Sequence, residues 1–417
     1  MSSRHERLLE ITKSRIDRGV ELGVGRLRTE DEVLEGAFLT VDGQRVVDFG
    51  SCSYLGLNRD ERLQQAAIDA VSRFGTSHAS SVTYTALGMY RELEHKLEQV
   101  FDAPVAVAAT TTLAHLAALP VLIGPEDVAL IDQHAHASLQ LGCDVLRGRG
   151  TRVAILPHND LDALEEAVAS EPEDAKVWYI ADGIYSMFGD LAPVKEVHPL
   201  LDRYPNLHVY YDDAHGFGWQ GQHGRGYVLS EVPWHPRMVV AAGLSKSFGT
   251  NGAVLAFGDA GTAKTVAYCG STFVFSGPIQ TASLGASIAS ADFHLSPEHP
   301  IKQQELRDRI RLAGELLSLH GLPVVGNEQT PIWFVRVGAV KQVIQLVRDL
   351  MADGYYVNPA GYPVVPLGSA GIRFTQTLHQ SEDQLRGLIA AIASHLPSAE
   401  PDIIVDLRSE VPSVKNP

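Results

Sequence analysis

A lysine and an aspartate stand at comparable points of the chain, each at the end of an apolar run. Lys246 lies in AAGLSKSFGTNG, after the run Met238–Ala242, and Asp212 closes the run HVYYDD about one strand–helix unit earlier. Gly249 and Gly252 let the backbone turn closely behind the lysine. A lysine amine can form a covalent adduct with an aldehyde, and a carboxylate can keep a nearby aromatic nitrogen protonated. The pattern favours a site in which both groups contact one aromatic ligand.

The acidic residues have a structural alternative, because an aspartate that follows a strand can cap the next helix. Asp182, in ADGIYSMFGDLAP, follows another apolar run, and helix capping competes equally there with contact to a ligand. In the later run, Asp213 fits the capping role better than Asp212. We therefore expect Asp212 to carry chemistry and Asp213 to cap a helix.

Three histidines follow the same group of apolar runs. His134 and His136 lie in DQHAHAS, and His215 comes three residues after Asp212. His215 can donate a hydrogen bond to a ligand oxygen, and His136 can lie flat against an aromatic ring. A His-x-His pair can instead bind a metal, but no further ligand cluster of suitable spacing accompanies it, so no metal site is predicted.

The apolar runs themselves predict the strands of a largely parallel sheet. Each is short, rich in β-branched or aromatic residues, and followed by a turn and a stretch of helical length. The predicted strands are Val128–Ile131, Arg152–Leu156, Val177–Ala181, Leu207–Tyr211, Met238–Ala242 and Ala253–Phe257. Ligands of such sheets bind beyond the carboxyl ends of the strands. The fold would therefore bring the polar residues that follow these runs to one edge.

An anion site is predicted where a further strand meets a helix. Thr110, Thr111 and Thr112 follow VAVAA and precede the helical LAHLAALPVL, so their amides and hydroxyls lie at a helix N-terminus, which suits an anion. Ser245 is a second candidate. Neither a Rossmann nor a Walker glycine motif is present, which removes the main nucleotide-binding interpretations.

The C-terminal part reads as a smaller domain. Two helices, each ending at a glycine, are predicted over Gln303–Gly321 and Ala339–Asp353, with strands at PIWFVRVG and Gly371–Thr375. Ser381 and Gln384 form a capping box for a final helix that runs to His395. The predicted divisions are an N-terminal arm and helix (1–55), a large domain (56–295), a small domain (296–396) and a polar tail (397–417).

One arginine of the small domain is a candidate for substrate binding. Arg373 in GIRFT has a planar guanidinium that can hold a carboxylate, although a surface ion pair is an equal alternative.

Composition and charge exclude several classes of protein. The net charge is −16 and no basic stretch is long enough to follow a phosphate backbone, so nucleic acid is not an expected partner. Cys52, Cys143 and Cys269 lack the spacing of a zinc site and do not suggest a disulfide framework. The N-terminus is charged and no run approaches 20 apolar residues, so we expect a cytoplasmic protein without a membrane span.

Together these groups meet the requirements of a pyridoxal 5'-phosphate (PLP) site, which are a lysine, an acid for the pyridine nitrogen, a flat group against the ring and donors around the phosphate. The chain resembles the α-oxoamine synthases, PLP enzymes of fold type I that join an amino acid to an acyl thioester with loss of carbon dioxide. The matching segments run in family order over about residues 45 to 390. They are DFGSCSYLGL, HAHASLQLG, ADGIYSMFGDLAP, YYDDAHGFGWQGQHGRG, GLSKSFG and GIRFT.

The resemblance implies a mainly parallel seven-stranded sheet in a large domain, a smaller α+β C-terminal domain, and a role for each site residue. It makes Lys246 the Schiff-base lysine, Asp212 the pyridinium partner, His215 the contact to the phenolate oxygen, His136 the stacking residue and Arg373 the carboxylate-binding residue. The further cofactor contacts are Thr111, Thr112, Asp182, Ser186 and Ser245. The further substrate contacts are Ser53, Tyr54 and His78.

The resemblance also implies a homodimer with both active sites at the subunit interface. Ser276 or Thr272, in GSTFVFSGP, would then reach the phosphate in the other chain's site. The implied substrates are an amino acid and an acyl thioester carried by coenzyme A or by an acyl carrier protein.

The sequence departs from the family pattern mainly on the substrate side. Cys52 replaces an asparagine, Tyr90 replaces a histidine, and Gly243 replaces a threonine three residues before the lysine. A glycine-rich stretch that ends in Ser-Arg is replaced by GTSHASSVTY, and the segment after FVF reads SGPIQ. The alternatives to acyl condensation are an aminotransferase of the same fold type and, without a DNA-binding extension to support it, a PLP-binding regulator.

Overall fold

The computed structural model describes residues 4–326, 329–362, 364–366 and 368–396. The predicted polar tail at 397–417 lies outside these residues. The α-helices of the described part are α1 (Arg4–Glu21), α2 (Glu61–Phe74), α3 (Gly88–Phe101), α4 (Thr111–Leu122), α5 (Ala137–Gly148), α6 (Leu161–Ala169), α7 (Val194–Arg203), α8 (Tyr227–Glu231), α9 (Ala260–Cys269), α10 (Ser271–Phe275), α11 (Thr281–Leu295), α12 (His299–Leu319), α13 (Val340–Ala352) and α14 (Glu382–His395).

The strands form three sheets, of which the largest has seven strands. The strands are β1 (Phe38–Val41), β2 (Gln44–Asp48), β3 (Val105–Ala108), β4 (Val128–Asp132), β5 (Arg152–Leu156), β6 (Val177–Asp182), β7 (Leu207–Asp212), β8 (Met238–Gly243), β9 (Ala253–Phe257), β10 (Val324–Val325), β11 (Ile332–Gly338), β12 (Tyr355–Tyr356), β13 (Asn358–Ala360) and β14 (Ala370–Thr375). In space, the large sheet has the order β3-β9-β8-β7-β6-β4-β5. Only β9 runs antiparallel to its neighbours, so the predicted mainly parallel sheet is confirmed.

All six predicted strands of this sheet are present, and four of them extend one residue beyond the prediction. The added residues are Asp132, Asp182, Asp212 and Gly243, because the ladder continues through them: Asp182 pairs with Asp212, and Asp212 with Ala241. The strands are buried on both faces, which explains their continuous apolar sequences. Asp182 and Asp212 are therefore the last residues of two neighbouring strands, and not the first residues after them as the predicted strand ends implied.

A four-stranded antiparallel sheet with the order β10-β11-β14-β13 lies in the C-terminal part and carries Arg373 on β14. Helices α13 and α14 contact each other, and α13 also contacts β11 and β14. The capping box at Ser381 and Gln384 begins α14, as predicted. The third sheet joins the N-terminal and C-terminal parts of the chain, because β12 pairs in parallel with β2.

Candidate active site

A cavity of about 300 Å³ opens at the carboxyl edge of the large sheet. It contains eight of the residues that the sequence predicted for catalysis or cofactor binding, which are Thr111, Thr112, His136, Asp182, Asp212, His215, Ser245 and Lys246. Thr110, Ser138, Ala214, Asn251 and Gly252 complete the lining. The volume is at the lower end of the usual range for small-molecule sites.

Asp212 lies at the end of β7 and is held by a residue that the sequence analysis missed. His115 Nε2 donates to Asp212 Oδ2 at 2.9 Å, while His115 Nδ1 lies 2.8 Å from the Tyr210 hydroxyl. Because a carboxylate only accepts, His115 Nε2 carries a proton and is the donor to Asp212. Burial alone would raise the pKa of Asp212, but the hydrogen bond and charge of His115 lower it to about 2. Asp212 is therefore an ionised, oriented carboxylate.

Two periodicities in the sequence agree with the position of His115 in the structure. On α4 it lies four residues after Thr111, so both face the same side of the helix. On β7, Tyr210 and Asp212 are two residues apart and share one face of the sheet. The sequence gives both patterns, but nothing in it shows that these two faces meet.

Asp182 ends the neighbouring strand and differs from Asp212 in its electrostatics. It accepts the His136 backbone amide at 2.9 Å, and among the described residues no imidazole holds it in the way that His115 holds Asp212. Burial, with the negative charge of Asp212, raises its pKa well above the ordinary value. The surroundings thus shift the pKa values of the two acids in opposite directions, upward for Asp182 and downward for Asp212. Of the two alternatives weighed for Asp182, the carboxylate lines the cavity and also binds the amide of the residue that caps α5.

His136 is the N-cap of α5, and its own side chain is partly fixed. Its Nδ1 lies 2.7 Å from the Ser138 hydroxyl, so the ring orientation is set by the first turn of the helix. Burial lowers the pKa of His136, which keeps the imidazole neutral. A neutral flat ring at the cavity wall is suited to stacking against an aromatic ligand.

His215 is fully buried and hydrogen-bonded to Tyr54, whose hydroxyl lies 2.7 Å from His215 Nδ1. Burial, together with the positive charges of Lys246 and Arg373, lowers the pKa of His215 well below its usual value, so the ring is neutral. If Tyr54 donates to Nδ1, the remaining proton is on Nε2, and that nitrogen is a donor. Tyr54 was predicted to bind substrate, but its geometry supports a role in orienting His215.

Lys246 follows β8 and lies within electrostatic range of Asp212 and Asp182. Burial lowers the pKa of its amine, and the two carboxylates oppose that shift only in part. The turn after it is tight, because Gly249 has a φ of 75° and a Cβ at this position would lie 2.7 Å from the backbone of Leu57 and Asn58. The amine is thus held at the cavity, with a larger neutral fraction than that of a surface lysine.

The threonines at the start of α4 form the anion-binding side of the cavity. Thr110 is the N-cap and its hydroxyl accepts the Leu113 amide at 3.2 Å. Thr111 and Thr112 occupy the first two helical positions, where backbone amides have no carbonyl within the helix to bind. Ser245 lines the same cavity, so the site offers amide and hydroxyl donors to one anionic group.

Arg373 belongs to the small sheet but points toward the same region. Its Nε donates to the Ser186 carbonyl at 2.8 Å, and Nη2 lies 3.7 Å from the Cys52 sulfur. It is 8% exposed and its charge acts on Lys246 and His215, so the surface ion pair weighed from the sequence is wrong. Ser186 supplies its carbonyl to Arg373, and its side chain is not part of the cavity lining.

Other predicted residues lie outside the cavity lining. Ser53 donates to Asn58, and Thr272 donates to the Leu113 carbonyl. His78 is half-buried, and its Nε2 has no hydrogen-bond partner among the described residues. Asp213 does not cap a helix directly after β7, because turns follow there; it accepts the Val228 amide in the first turn of α8.

Within the described residues, no group of three or more histidines, cysteines or acids could hold a metal ion. No helix there is long and apolar enough to cross a membrane.

The sequence and structure were compared with known proteins. A family model described as Aminotransferase class I and II matches residues 44–392. The chain is 31% identical to an 8-amino-7-oxononanoate synthase from Thermosipho melanesiensis over 84% of this chain and 88% of that protein. It is 29% identical to a serine palmitoyltransferase from Sphingobacterium spiritivorum over 88% of this chain and 90% of that protein. Among solved structures, a serine palmitoyltransferase from Sphingomonas wittichii superposes with a TM-score of 0.86 at 22% identity, covering 94% of this chain and 98% of that one.

Proposed function

Because the chain belongs to the aminotransferase class I and II family, in which it groups with the α-oxoamine synthases, we propose that it condenses an amino acid with an acyl thioester. The products would be an α-amino ketone, carbon dioxide and the free thiol that had carried the acyl group. The cofactor is PLP, on which the family depends. One observation carries the proposal: a single cavity is lined by Lys246, the charged Asp212 and the N-terminus of α4.

The residues of this cavity fit PLP in their donor chemistry. The amine of Lys246 suits the cofactor aldehyde, and the amides of Thr111 and Thr112 suit its phosphate. Asp212, ionised by its hydrogen bond to His115, suits a protonated pyridine nitrogen. When bound, PLP supplies an electron sink that stabilises negative charge at the α-carbon of an amino acid.

The chain's own groups would then manage protons and orientation. Lys246, whose pKa burial lowers, accepts the proton from the α-carbon of the amino acid. His215 would hold the cofactor's phenolate oxygen by donating from Nε2, and Tyr54 orients the imidazole. His136, oriented by Ser138, would stack against the cofactor ring. Arg373 binds the carboxylate of the amino acid, and Ser186 holds its guanidinium on one side.

Acyl condensation is favoured over transamination by the two curated relatives named above, which are a synthase and a palmitoyltransferase. The test is to incubate the holoenzyme with amino acids and a panel of acyl thioesters, and to identify products by mass spectrometry. An α-amino ketone and stoichiometric carbon dioxide are expected. Conversion of the cofactor to its pyridoxamine form, with a keto acid as product and no use of thioester, would establish an aminotransferase instead.

We further propose that the enzyme is a cytoplasmic homodimer and that its donor is acyl-coenzyme A or an acyl carrier protein. Support for a dimer comes from the segment that carries Thr272 and Ser276, because Phe275 within it is 86% exposed and Tyr268 nearby is 71% exposed. Such large exposed rings are typical of an interface. Sedimentation velocity would give the mass of a dimer, and a monomer that retains full activity would contradict the proposal.

A further inference from the structure

A histidine outside the cavity bridges two carboxylates. His158, in the loop after β5, places Nδ1 at 3.0 and 3.2 Å from the two carboxylate oxygens of Asp132 and Nε2 at 2.6 Å from Asp190 Oδ2. A carboxylate can only accept, so both ring nitrogens must carry protons. The geometry therefore requires an imidazolium ion. Consistent with this, burial opposes the charge, but the bonds to Asp132 and Asp190 raise the pKa of His158 to about 9.

The surroundings of His158 make this bridge rigid. The His134 ring stacks on it with centroids 4.1 Å apart, and the Tyr185 ring meets it edge-on at 4.5 Å. Asp132 also accepts the backbone amides of His134 and Asn159, at 2.7 and 2.8 Å. Burial and the neighbouring charge of His158 lower the pKa of His134, so that ring is neutral.

Asp190 lies in the segment 183–191, which connects the large sheet to Arg373. This segment folds back on itself, because the Tyr185 amide donates to the Asp190 carbonyl at 2.9 Å. The Ser186 carbonyl accepts Arg373 Nε at 2.8 Å, and the Gly189 carbonyl accepts the Thr330 hydroxyl at 3.0 Å. Hydrogen bonds therefore run from Asp132 at the end of β4 through His158 and Asp190 to the segment that seats Arg373.

We propose that His158 is a positioning residue for substrate recognition: its charged bridge between Asp132 and Asp190 holds the segment 183–191 so that Ser186 orients Arg373 toward the amino-acid carboxylate. The proposal rests on the role assigned to Arg373 in the proposed function. It predicts a defect in amino-acid affinity, with cofactor binding and use of the thioester unchanged, because His158 contacts neither.

The test is a set of four holoenzymes: wild type, His158→Gln, Asp190→Asn and the double variant. In His158→Gln, an amide offers one donor and one acceptor, so its oxygen would face a carboxylate and repel it. In the double variant the asparagine can donate to that oxygen and restore a neutral link. Titration with a panel of the common amino acids, followed by the cofactor's absorption, gives each dissociation constant without any thioester.

For the amino acid that wild type binds, we expect His158→Gln to weaken affinity about tenfold, the typical effect of losing one charge-assisted hydrogen bond. Asp190→Asn should change it less, and the double variant should recover part of the loss. KM for the thioester should stay within about twofold of the wild-type value, since the hydrogen bonds that run from Asp132 to Arg373 do not reach that substrate. His208→Gln is the matched control, because His208 is also half-buried but lies at the far end of β7.

A crystal structure of His158→Gln supplies a readout that does not depend on any substrate. The contact between Ser186 and Arg373, 2.8 Å in wild type, should be lost or reoriented. Retention of this contact with unchanged amino-acid affinity would overturn the proposal, as would an equal loss in His208→Gln. Failure of the proposed function would look different: wild type would bind amino acids and consume no thioester.

Discussion

The two sides of the cavity are organised differently. On the cofactor side, side chains are fixed by other side chains: Asp212 by His115, His215 by Tyr54 and His136 by Ser138. On the substrate side, the outer nitrogen of Arg373 has a sulfur atom 3.7 Å away, and sulfur is a weak acceptor. The comparison suggests that cofactor chemistry is preorganised within the fold, whereas the substrate side keeps hydrogen-bonding capacity for its ligand.

The residues that depart from the α-oxoamine synthase pattern can be assigned to the same two sides of the cavity. Cys52 is the thiol beside Arg373, and Tyr90 is bound to the Ile279 amide at 2.6 Å, which ties α3 to the SGPIQ segment. Gly243 is the departure on the cofactor side, where a Cβ would lie 3.1 Å from the Thr111 hydroxyl. A changed substrate is therefore a better explanation of the divergence than a changed cofactor.

The largest effect is expected from removing the amine. Lys246→Ala should reduce turnover by about 10³-fold or more, because both the cofactor linkage and the proton acceptor are lost. Steady-state kinetics of product formation measures this. Lys341→Ala on the exposed side of α13 is the control and should keep wild-type activity. Near-normal turnover in Lys246→Ala would remove the lysine from the mechanism and abolish the contrast between the two sides.

A large effect confined to the substrate side is expected from Arg373→Lys. The charge is kept, but the planar pair of donors for a carboxylate is lost, so KM for the amino acid should rise about 10- to 100-fold. The cofactor absorption spectrum should remain that of wild type. If the spectrum changes and KM does not, Arg373 belongs to the cofactor side and the division drawn above is wrong.

Breaking the hydrogen bond to Asp212 should affect the cofactor side alone. In His115→Phe, the largest interaction that offsets burial of Asp212 is lost, so its pKa rises from about 2 and the ionised form persists only at higher pH. We expect kcat to fall about tenfold and the acidic limb of its pH profile to move upward. His208→Phe removes a histidine from the other end of β7 and serves as the control. An acidic limb that stays in place would show that His115 does not set the charge of Asp212.

The smallest effect is expected from restoring the family's residue beside Arg373. Cys52→Asn should change the relative kcat/KM for different amino acids by a few-fold, because a polar group near the carboxylate site alters contacts worth about 1 kcal/mol. Cofactor affinity should not change. A loss of cofactor binding would show that Cys52 supports the cofactor, contrary to the comparison.

Sequence patterns predicted the sheet and its functional edge because buried parallel strands have continuous apolar runs and ligand residues cluster at their ends. Lys246, Asp212 and Thr111 were found in this way. His115 was missed because its role depends on a side-chain contact from α4 to the end of β7, between distant parts of the chain. The bridge at His158 was missed for the same reason, since Asp132 ends β4, His158 follows β5 and Asp190 follows β6.

Asp213 accepts an amide in the first turn of a helix, but that helix is α8 and does not directly follow β7. A helix was expected directly after β7, but the glycine-rich segment there forms turns, and Asp213 binds the Val228 amide. Glycines in this segment need positive φ angles, for example 91° at Gly218, which favours turns over a helix.

The central claim is that Lys246 carries the cofactor opposite Asp212. Borohydride reduction of the purified holoenzyme, followed by proteolysis and peptide mass spectrometry, tests it most directly. We expect one pyridoxyl phosphate group per chain, attached to the peptide that contains Lys246, and no labelling of Lys246→Ala. Label on another lysine, or no label on a protein that holds the cofactor, would contradict the account.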